Sequence, residues 1–343
     1  MLAIDEVHLK GKKILVTGGT GSFGHRIVQR LLKYDPAEIR VYSRDEKKHY
    51  DMKIKYQGNQ KIRFFLGDVR DKHRLSEVIS GVEIVYHAAA LKHVPMCELN
   101  PGEAVKTNIA GAKNLIDCAI EAKVKKVIAI STDKAVKPVN VMGMTKAIQE
   151  KLMIAANDLH NNQGTLFSCV RYGNVMGSRG SAIPFFRQLI ADGKDITITD
   201  EKMTRFMLTL DDAIDLVFFA TEHMKGGETF VKKAPSLSIV DLARMLYRRQ
   251  KKTETGFSYK IIGIFPGEKI HEILISEEEI SRSVDMGDYF VIHRVAPVQT
   301  MKGPFEEYSS KDSLVDASVI EPLLERAEAA ERDTLYNESI YIK

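Results

Sequence analysis

The chain has little cysteine, and no two of its cysteines are spaced for joint chemistry. Cys97, Cys118 and Cys169 stand far apart with no C-x-x-C pair. This excludes a disulfide framework and leaves reduced thiols in a cytoplasmic protein as the expectation. No apolar run approaches the ~20 residues that a membrane span needs. The first ten residues carry early acids and no long apolar core, so a secretory signal is not expected. Neither sign of charge dominates: 50 basic residues face 46 acidic ones, for a formal net charge of +4. That balance gives no electrostatic case for nucleic acid, and at most a mild attraction to anionic metabolites. Internal repeats and low-complexity tracts are also missing. What remains is an ordinary globular composition, 44% hydrophobic and 28% charged, in 343 residues. That length suffices for one large or two smaller domains.

Short apolar runs punctuate the first half. Lys13–Thr17, Ile39–Tyr42, Ile62–Leu66, Val82–Tyr86, a run ending at Ile130, and Leu166–Val170 read as buried strands. Helical patterns lie between them, at Ser22–Tyr34, Pro101–Ala122 and Gly143–Leu159. Alternating strands and helices imply a parallel sheet covered on both faces, an α/β doubly wound fold of Rossmann type. Beyond about Asn174 the pattern becomes irregular, broken by Gly226-Gly227, Pro235 and Pro266-Gly267. The expected division is a dinucleotide-binding domain over 1–175, a smaller and partly interwoven substrate domain over 176–300, and a tail over 301–343. The tail carries a helix near Val319–Arg332 and is expected to dock on a neighbouring subunit.

Gly18, Gly21 and Gly24 have Gly-x-x-Gly-x-x-Gly spacing between the first strand and the first helix. Glycines there let the backbone turn tightly and approach a pyrophosphate, which the helix N-terminus stabilises. Thr20, Ser22 and Phe23 belong to the same loop. The second strand ends at Ser43-Arg44-Asp45. Arg44 suits a 2′-phosphate, so NADP is the expected cofactor. The alternative is NAD, with Asp45 on the ribose and Arg44 solvated. Asp68 follows the third strand, where it could meet the adenine edge or cap a helix; Val69 comes next.

Ser131 to Lys146 carries the chemistry. Asp133 and Lys134 place an acid and a base side by side after a buried strand, and Lys146 follows on a helix. Four residues before that lysine, where a proton-transfer tyrosine would be expected, stands Met142, which has no ionisable group.

With these residues the chain resembles the extended short-chain dehydrogenase/reductases. The resemblance rests on the glycine loop, Asp68-Val69, His87-Ala88-Ala89-Ala90 and Thr107-Asn108. More narrowly it resembles the UDP-N-acetylglucosamine 4,6-dehydratases that invert C5. The matching segments are Ala89–Pro95, Ser131–Val136, Arg171–Val175, Met203–Phe206 and Pro266–Lys269, and the likeness spans roughly residues 11 to 290. It implies three steps on a UDP-sugar: oxidation at C4 by a recycled NADP⁺, loss of water across C5 and C6, and return of the hydride to C6. In retaining relatives an Asp-Glu pair stands where this chain has Asp133-Lys134. By analogy Lys134 removes the C5 proton and Asp133 protonates the departing C6 hydroxyl. Met142 marks a capsule-type branch that also inverts C5.

In that branch Lys146 would hold the nicotinamide ribose and could itself take the 4-hydroxyl proton, directly or through water. As a base it would need its pKa to fall toward ~7–8. Thr132 could orient the 4-hydroxyl, so the identity of the base stays open. The resemblance further implies Ala88, Ala89 and Ala90 beside the cofactor. It places Lys92, Met142, Asn174, Arg179, Arg205 and Glu268 at the UDP-sugar, with the two arginines on the diphosphate. It also implies a homo-oligomer, a dimer unit or a hexamer, formed through the helices Pro101–Ala122 and Gly143–Leu159. His87, His271 and Glu272 lack the paired His spacing of a zinc motif, so no metal is expected. Two rivals stand beside this reading: a UDP-hexose 4-epimerase, which needs no Asp-Lys pair, and a nucleotide-binding regulator without activity.

Overall fold

The computed structural model describes residues 8–177, 181–296 and 306–339, with backbone alone for 331–339. The early apolar runs form β1 (Lys13–Thr17), β2 (Glu38–Ser43), β3 (Ile62–Leu66), β4 (Ile84–His87), β5 (Lys126–Ile130) and β6 (Leu166–Arg171). They pair in parallel in the order β3-β2-β1-β4-β5-β6. Successive residues of a strand face opposite sides, and both sides are covered. Ile14 and Val16 meet Ile27, Leu31 and Phe218 on one face. Leu15 meets Leu75, Leu115 and Met153 on the other. That double burial is why these strands read as continuous apolar runs. The strand order reverses between β1 and β4. In open sheets of this kind ligands bind outside the carboxyl ends of the strands at that point.

The later strands are shorter: β7 (Asn174–Val175), β8 (Ile196–Ile198), β9 (Thr204–Leu208), β10 (Thr229–Lys232), β11 (Ser236–Ser238), β12 (Tyr259–Ile261), β13 (Ile273–Ile275), β14 (Ser283–Asp285), β15 (Tyr289–Ile292) and β16 (Tyr308–Ser309). β10 joins the large sheet in parallel beside β6, and β15 and β14 extend it antiparallel to nine strands. The rest form three small sheets, β11-β9-β7, β12-β8 and β13-β16. A second core gathers Ile183, Phe186, Leu242, Leu246, Ile320 and Leu324. The chain beyond residue 175 thus builds a second lobe and twice returns to the first sheet.

Two segments differ from expectation. Residues 306–330 do not stand apart as a tail. β16 pairs with β13, and Ile320 and Leu324 of the helix Ala317–Ser339 are buried in the second core of the same chain. The helix expected over Pro101–Ala122 is interrupted by a π-helical turn, Val105–Ala110. Such turns recur at functional sites. This one buries Asn108, whose amide donates to the Leu91 carbonyl at 2.9 Å and to the Thr145 hydroxyl at 2.9 Å. It thereby ties the loop after β4 to the helix that carries Lys146.

Candidate active site

The glycine loop is built for close approach. Gly18 has φ +65°, and a Cβ there would lie 2.8 Å from the Ala88 carbonyl carbon and the Ala89 nitrogen. A Cβ on Gly24 would lie 2.3 Å from the Gly19 carbonyl oxygen. Gly21 stands at the N-cap of Ser22–Leu31 and brings no side chain to it. The amides of Ser22, Phe23 and Gly24 in that first turn lack intrahelical partners and suit phosphate oxygens. Ala88, Ala89 and Ala90 form the facing wall, with Ala88 N–H on the Thr17 carbonyl at 3.1 Å. The residues present therefore fit a dinucleotide.

At the tip of β2 the Ser43 hydroxyl is tied to Thr20 Oγ1 at 2.7 Å and to His49 Nε2 at 3.1 Å. The Asp45 carboxylate accepts from Lys48 N–H at 3.0 Å and so caps the next helix. Arg44 remains 54% exposed, its guanidinium 3.8 Å from Asp68 Oδ2. Asp68 caps no helix; Asp71 does. Arg70 holds Asp68 through both its amide and its guanidinium, at 3.0 and 2.7 Å. Burial would raise the Asp68 carboxyl, but Arg70 and Arg44 outweigh it and the net direction is down. Val69 is buried behind this loop against Gly111.

The acid–base residues gather at the carboxyl end of β5. Asn140 caps the helix Val141–Ala155 by accepting from Gly143 N–H at 2.7 Å. A Cβ on Gly143 would lie 2.2 Å from the Lys134 carbonyl oxygen, so the helix start is pressed against the catalytic turn. Lys146 reaches back to donate to the Ile130 carbonyl at 2.5 Å and to Gln149 Oε1 at 2.8 Å. Burial lowers its ammonium to about 8. Burial also drives the His87 imidazole down to about 3, with Lys146 adding to the shift, so His87 is neutral at physiological pH. Its Nδ1 lies 2.8 Å from Thr17 Oγ1.

Asp133 is fully buried. Its Oδ1 accepts from the Thr132 hydroxyl at 2.8 Å and from Lys134 Nζ at 3.1 Å. Its Oδ2 has no hydrogen-bond partner among the described residues. Lys134 Nζ also lies 2.9 Å from Glu272 Oε1, so one ammonium bridges two carboxylates. Burial raises the Asp133 carboxyl; Lys134 opposes this and Glu272 reinforces it, and the net direction is up. For Lys134 burial acts downward, but Asp133 and Glu272 outweigh it and the ammonium form is favoured. Burial would raise Glu272, yet Lys134 and Arg205 bring it below the usual carboxylate range. Burial thus favours the protonated form of Asp133, whereas the surrounding charges favour Lys134 as the ammonium and Glu272 as the carboxylate.

The remaining expected residues are more dispersed. Met142 is 4% exposed and packs with Cys97 and Ala104. Asn174 lies on β7 opposite Met207 of β9. Lys92 is exposed on the loop after β4. Arg205 is buried, and its guanidinium donates to the carbonyls of Thr204, Ile270 and Lys269 at 2.7, 3.0 and 2.9 Å. Its Nε is 3.8 Å from Glu272. Glu268 Oε2 accepts from Phe265 N–H at 3.1 Å and shapes the turn at Pro266-Gly267. Arg179 lies outside the described residues. Lys269 reaches the first lobe, donating to the Val136 carbonyl at 2.5 Å. Glu272 is the member that sequence reasoning considered only as a metal ligand. Its neighbours in sequence do not announce a lysine more than a hundred residues away.

A family described as polysaccharide biosynthesis protein matches residues 14–294. The chain belongs to this family. Among its relatives, a Campylobacter jejuni protein named UDP-N-acetylglucosamine 4,6-dehydratase (inverting) is 50% identical over 284 residues, 82% of this chain and 83% of that protein. A Rickettsia felis protein named UDP-glucose 4-epimerase is 47% identical over 285 residues, 82% of each chain. The solved structure of Pen from Bacillus thuringiensis superposes with TM-score 0.86 at 37% identity, covering 92% of this chain and 99% of that one. The dTDP-glucose 4,6-dehydratase DesIV from Streptomyces venezuelae, solved with NAD bound, shares the fold at TM-score 0.67 and 21% identity.

Proposed function

We propose that this family member is a lyase that removes water from UDP-N-acetylglucosamine across C5 and C6 and inverts C5. The product would be the UDP-linked 2-acetamido-2,6-dideoxy-L-hexos-4-ulose, for bacterial surface polysaccharide. One observation carries the reading: Asp133, fully buried, with Oδ2 unpartnered among the described residues and Oδ1 3.1 Å from Lys134 Nζ, lies at the carboxyl end of β5 beside the cradle suited to a dinucleotide. A 4-epimerase has no elimination to catalyse and no use for such a pair.

When bound, the nicotinamide supplies a reversible hydride acceptor. The protein's own residues supply the proton chemistry. Two donors converge on Asp133 Oδ1, so a proton on this carboxyl would sit on Oδ2, from which it could pass to a departing C6 oxygen. Lys146, lowered to about 8, is partly neutral near physiological pH and can accept the 4-hydroxyl proton that the missing tyrosine would take. Thr132 already spends its hydroxyl hydrogen on Asp133, so it can orient a substrate hydroxyl but is a poor base. Lys134, as an ammonium ion, cannot take the C5 proton until a partner relieves it of one of its own.

Further parts of the reading rest on placement. The exposed Arg44, with Asp45 occupied as a helix cap, favours NADP over NAD. Lys92, Asn174, Arg179, Arg205 and Glu268 are assigned to the UDP-sugar. Met144, Ile148 and Val105 expose apolar side chains on the two helices expected to pair subunits, which supports a homo-oligomer. Incubation with UDP-N-acetylglucosamine and mass spectrometry tests the function. Loss of one water is expected; an unchanged mass with a new 4-epimer would assign the epimerase instead.

A further inference from the structure

Lys134 lies between two carboxylates, and the functional reading uses only Asp133. Glu272 comes from the second lobe, in the residue before β13. Ser310 fixes its backbone on both sides: Glu272 N–H donates to Ser310 Oγ at 2.9 Å, and Ser310 N–H donates to the Glu272 carbonyl at 2.7 Å. The 2.9 Å contact with Lys134 Nζ is therefore set by how the lobes meet. Glu272 Oε2 is buried and, among the described residues, has no hydrogen-bond partner, as is true of Asp133 Oδ2. A buried acceptor without a donor is costly, and more so when it is charged. The two carboxylates that carry these oxygens flank a single ammonium, and a proton on either would remove its charge.

We propose that Glu272 receives the Lys134 proton across this contact when substrate fills the site, leaving Lys134 a neutral amine toward the sugar. The inference rests on the reading of Lys134 as the C5 base. An N–H bond of Nζ breaks and an O–H bond forms on Glu272, so an ion pair becomes a neutral pair and no charge leaves it. Filling the site excludes water, which favours the neutral pair over the ionic one. The amine lone pair then takes the C5 proton. The C–H electrons pass into the enolate of the 4-ketone and expel the C6 oxygen, which takes the Asp133 proton and departs as water. Lys134 is then an ammonium ion and Asp133 a carboxylate. A proton crossing their 3.1 Å contact resets both. Arg205 and Lys269 also face this group. Both favour the Glu272 carboxylate; Arg205 also acts against the Lys134 ammonium, but Asp133 and Glu272 outweigh it and keep Lys134 charged until the site is dry. Glu272 acts through Lys134 and is thus a positioning residue.

Glu272→Gln tests this, because glutamine keeps the hydrogen-bond acceptor but cannot take the proton. At neutral pH, C5 deuterium exchange should fall about 10²-fold or more. It should then recover about tenfold per pH unit as solvent deprotonates Lys134, while Glu272→Asp keeps much of the wild-type rate. An unchanged rate at neutral pH, or a loss that no pH restores, overturns the proposal. Should Glu272→Gln not fold, the wild-type protein with labelled lysines serves, with Lys134→Arg to assign the signal. The Lys134 Cε resonance should report an ammonium in the free protein and an amine in the complex with UDP-N-acetylglucosamine and cofactor. An ammonium in both overturns the proposal. If wild type releases no water from that sugar, the functional reading fails on its own account. In that case the free-protein Lys134 titration still tests the pair, since Glu272→Gln should lower its midpoint and an unmoved midpoint counts against it.

Discussion

In the first lobe, Ser43 ends β2, Ala88 follows β4 directly and the Asp133-Lys134 pair lies within four residues of the end of β5, so a short local segment sets each position. In the second lobe, Arg205, Lys269 and Glu272 reach the same place through single long-range contacts: Arg205 to Glu272, Lys269 to the Val136 carbonyl, Glu272 to Lys134. In the proposed mechanism the first lobe carries the groups that exchange protons with substrate. The second surrounds them with charges and holds those charges by backbone bonds, such as the paired Ser310–Glu272 contacts. A site divided in this way has its reactive groups preset and their protonation governed by how the lobes meet.

The largest expected effect lies in the first lobe. Lys146→Ala removes the buried amine proposed as base and ribose anchor, and turnover should fall by about 10⁴-fold, the upper end for a positioned acid–base group. The pH profile is its companion. Lys146 works as the neutral amine, so the rate of C4 oxidation should rise with pH up to about 8 and level off above it. A rate that falls over that range would remove Lys146 as the base.

Lys134→Ala comes next, with turnover lower by about 10²- to 10⁴-fold. Hydride transfer from C4 should survive, so reduced nicotinamide should accumulate when substrate is mixed with the variant. Rapid mixing with absorbance detection separates the two steps. Accumulation would mark elimination as the step that is lost, whereas its absence would place Lys134 in the oxidation.

Gly143→Ala sharpens the comparison from the packing side. Its methyl group would meet the Lys134 carbonyl oxygen at 2.2 Å and push the catalytic turn away from the helix. Activity should drop while cofactor affinity stays close to wild type. Equal losses in both would mean that the turn and the cradle move together.

Smaller effects are expected at Arg44 and Met142. Arg44→Ala should weaken NADP by about 1.5–3 kcal/mol, one charge-assisted hydrogen bond, and leave NAD nearly unchanged. Titration of both cofactors by calorimetry reads this directly, and an equal response of the two would assign Arg44 to the surface. Met142→Ala should retain most activity and lose stability, because the side chain is packed and cannot transfer a proton. Losses as large as those of Lys146→Ala would contradict that division of roles.

Much of the first lobe was legible from sequence because its strands are buried on both faces and the glycine loop falls between β1 and its helix. The Asp133-Lys134 pair was legible for the same reason, as it follows the apolar run of β5. The second lobe was not. β7 and β16 have two residues each, too few to show a period, and β10, β14 and β15 return to the large sheet from far along the chain. The C-terminal segment read as a tail because its polar residues, Ser309 and Ser310, are buried by hydrogen bonding, which apolar patterning cannot reveal. For Arg205 the sequence offers only a guanidinium suited to a phosphate. Its bonds to three carbonyls are visible only in the fold.

The most direct test of the central claim, elimination by the Asp133–Lys134 pair, is nuclear magnetic resonance of the product formed from UDP-N-acetylglucosamine in deuterated water. The account predicts a 4-keto sugar with a methyl group at C6, one deuterium at C5 and the L configuration there. A product that keeps its C6 hydroxyl and its C5 proton, with only C4 inverted, would contradict it.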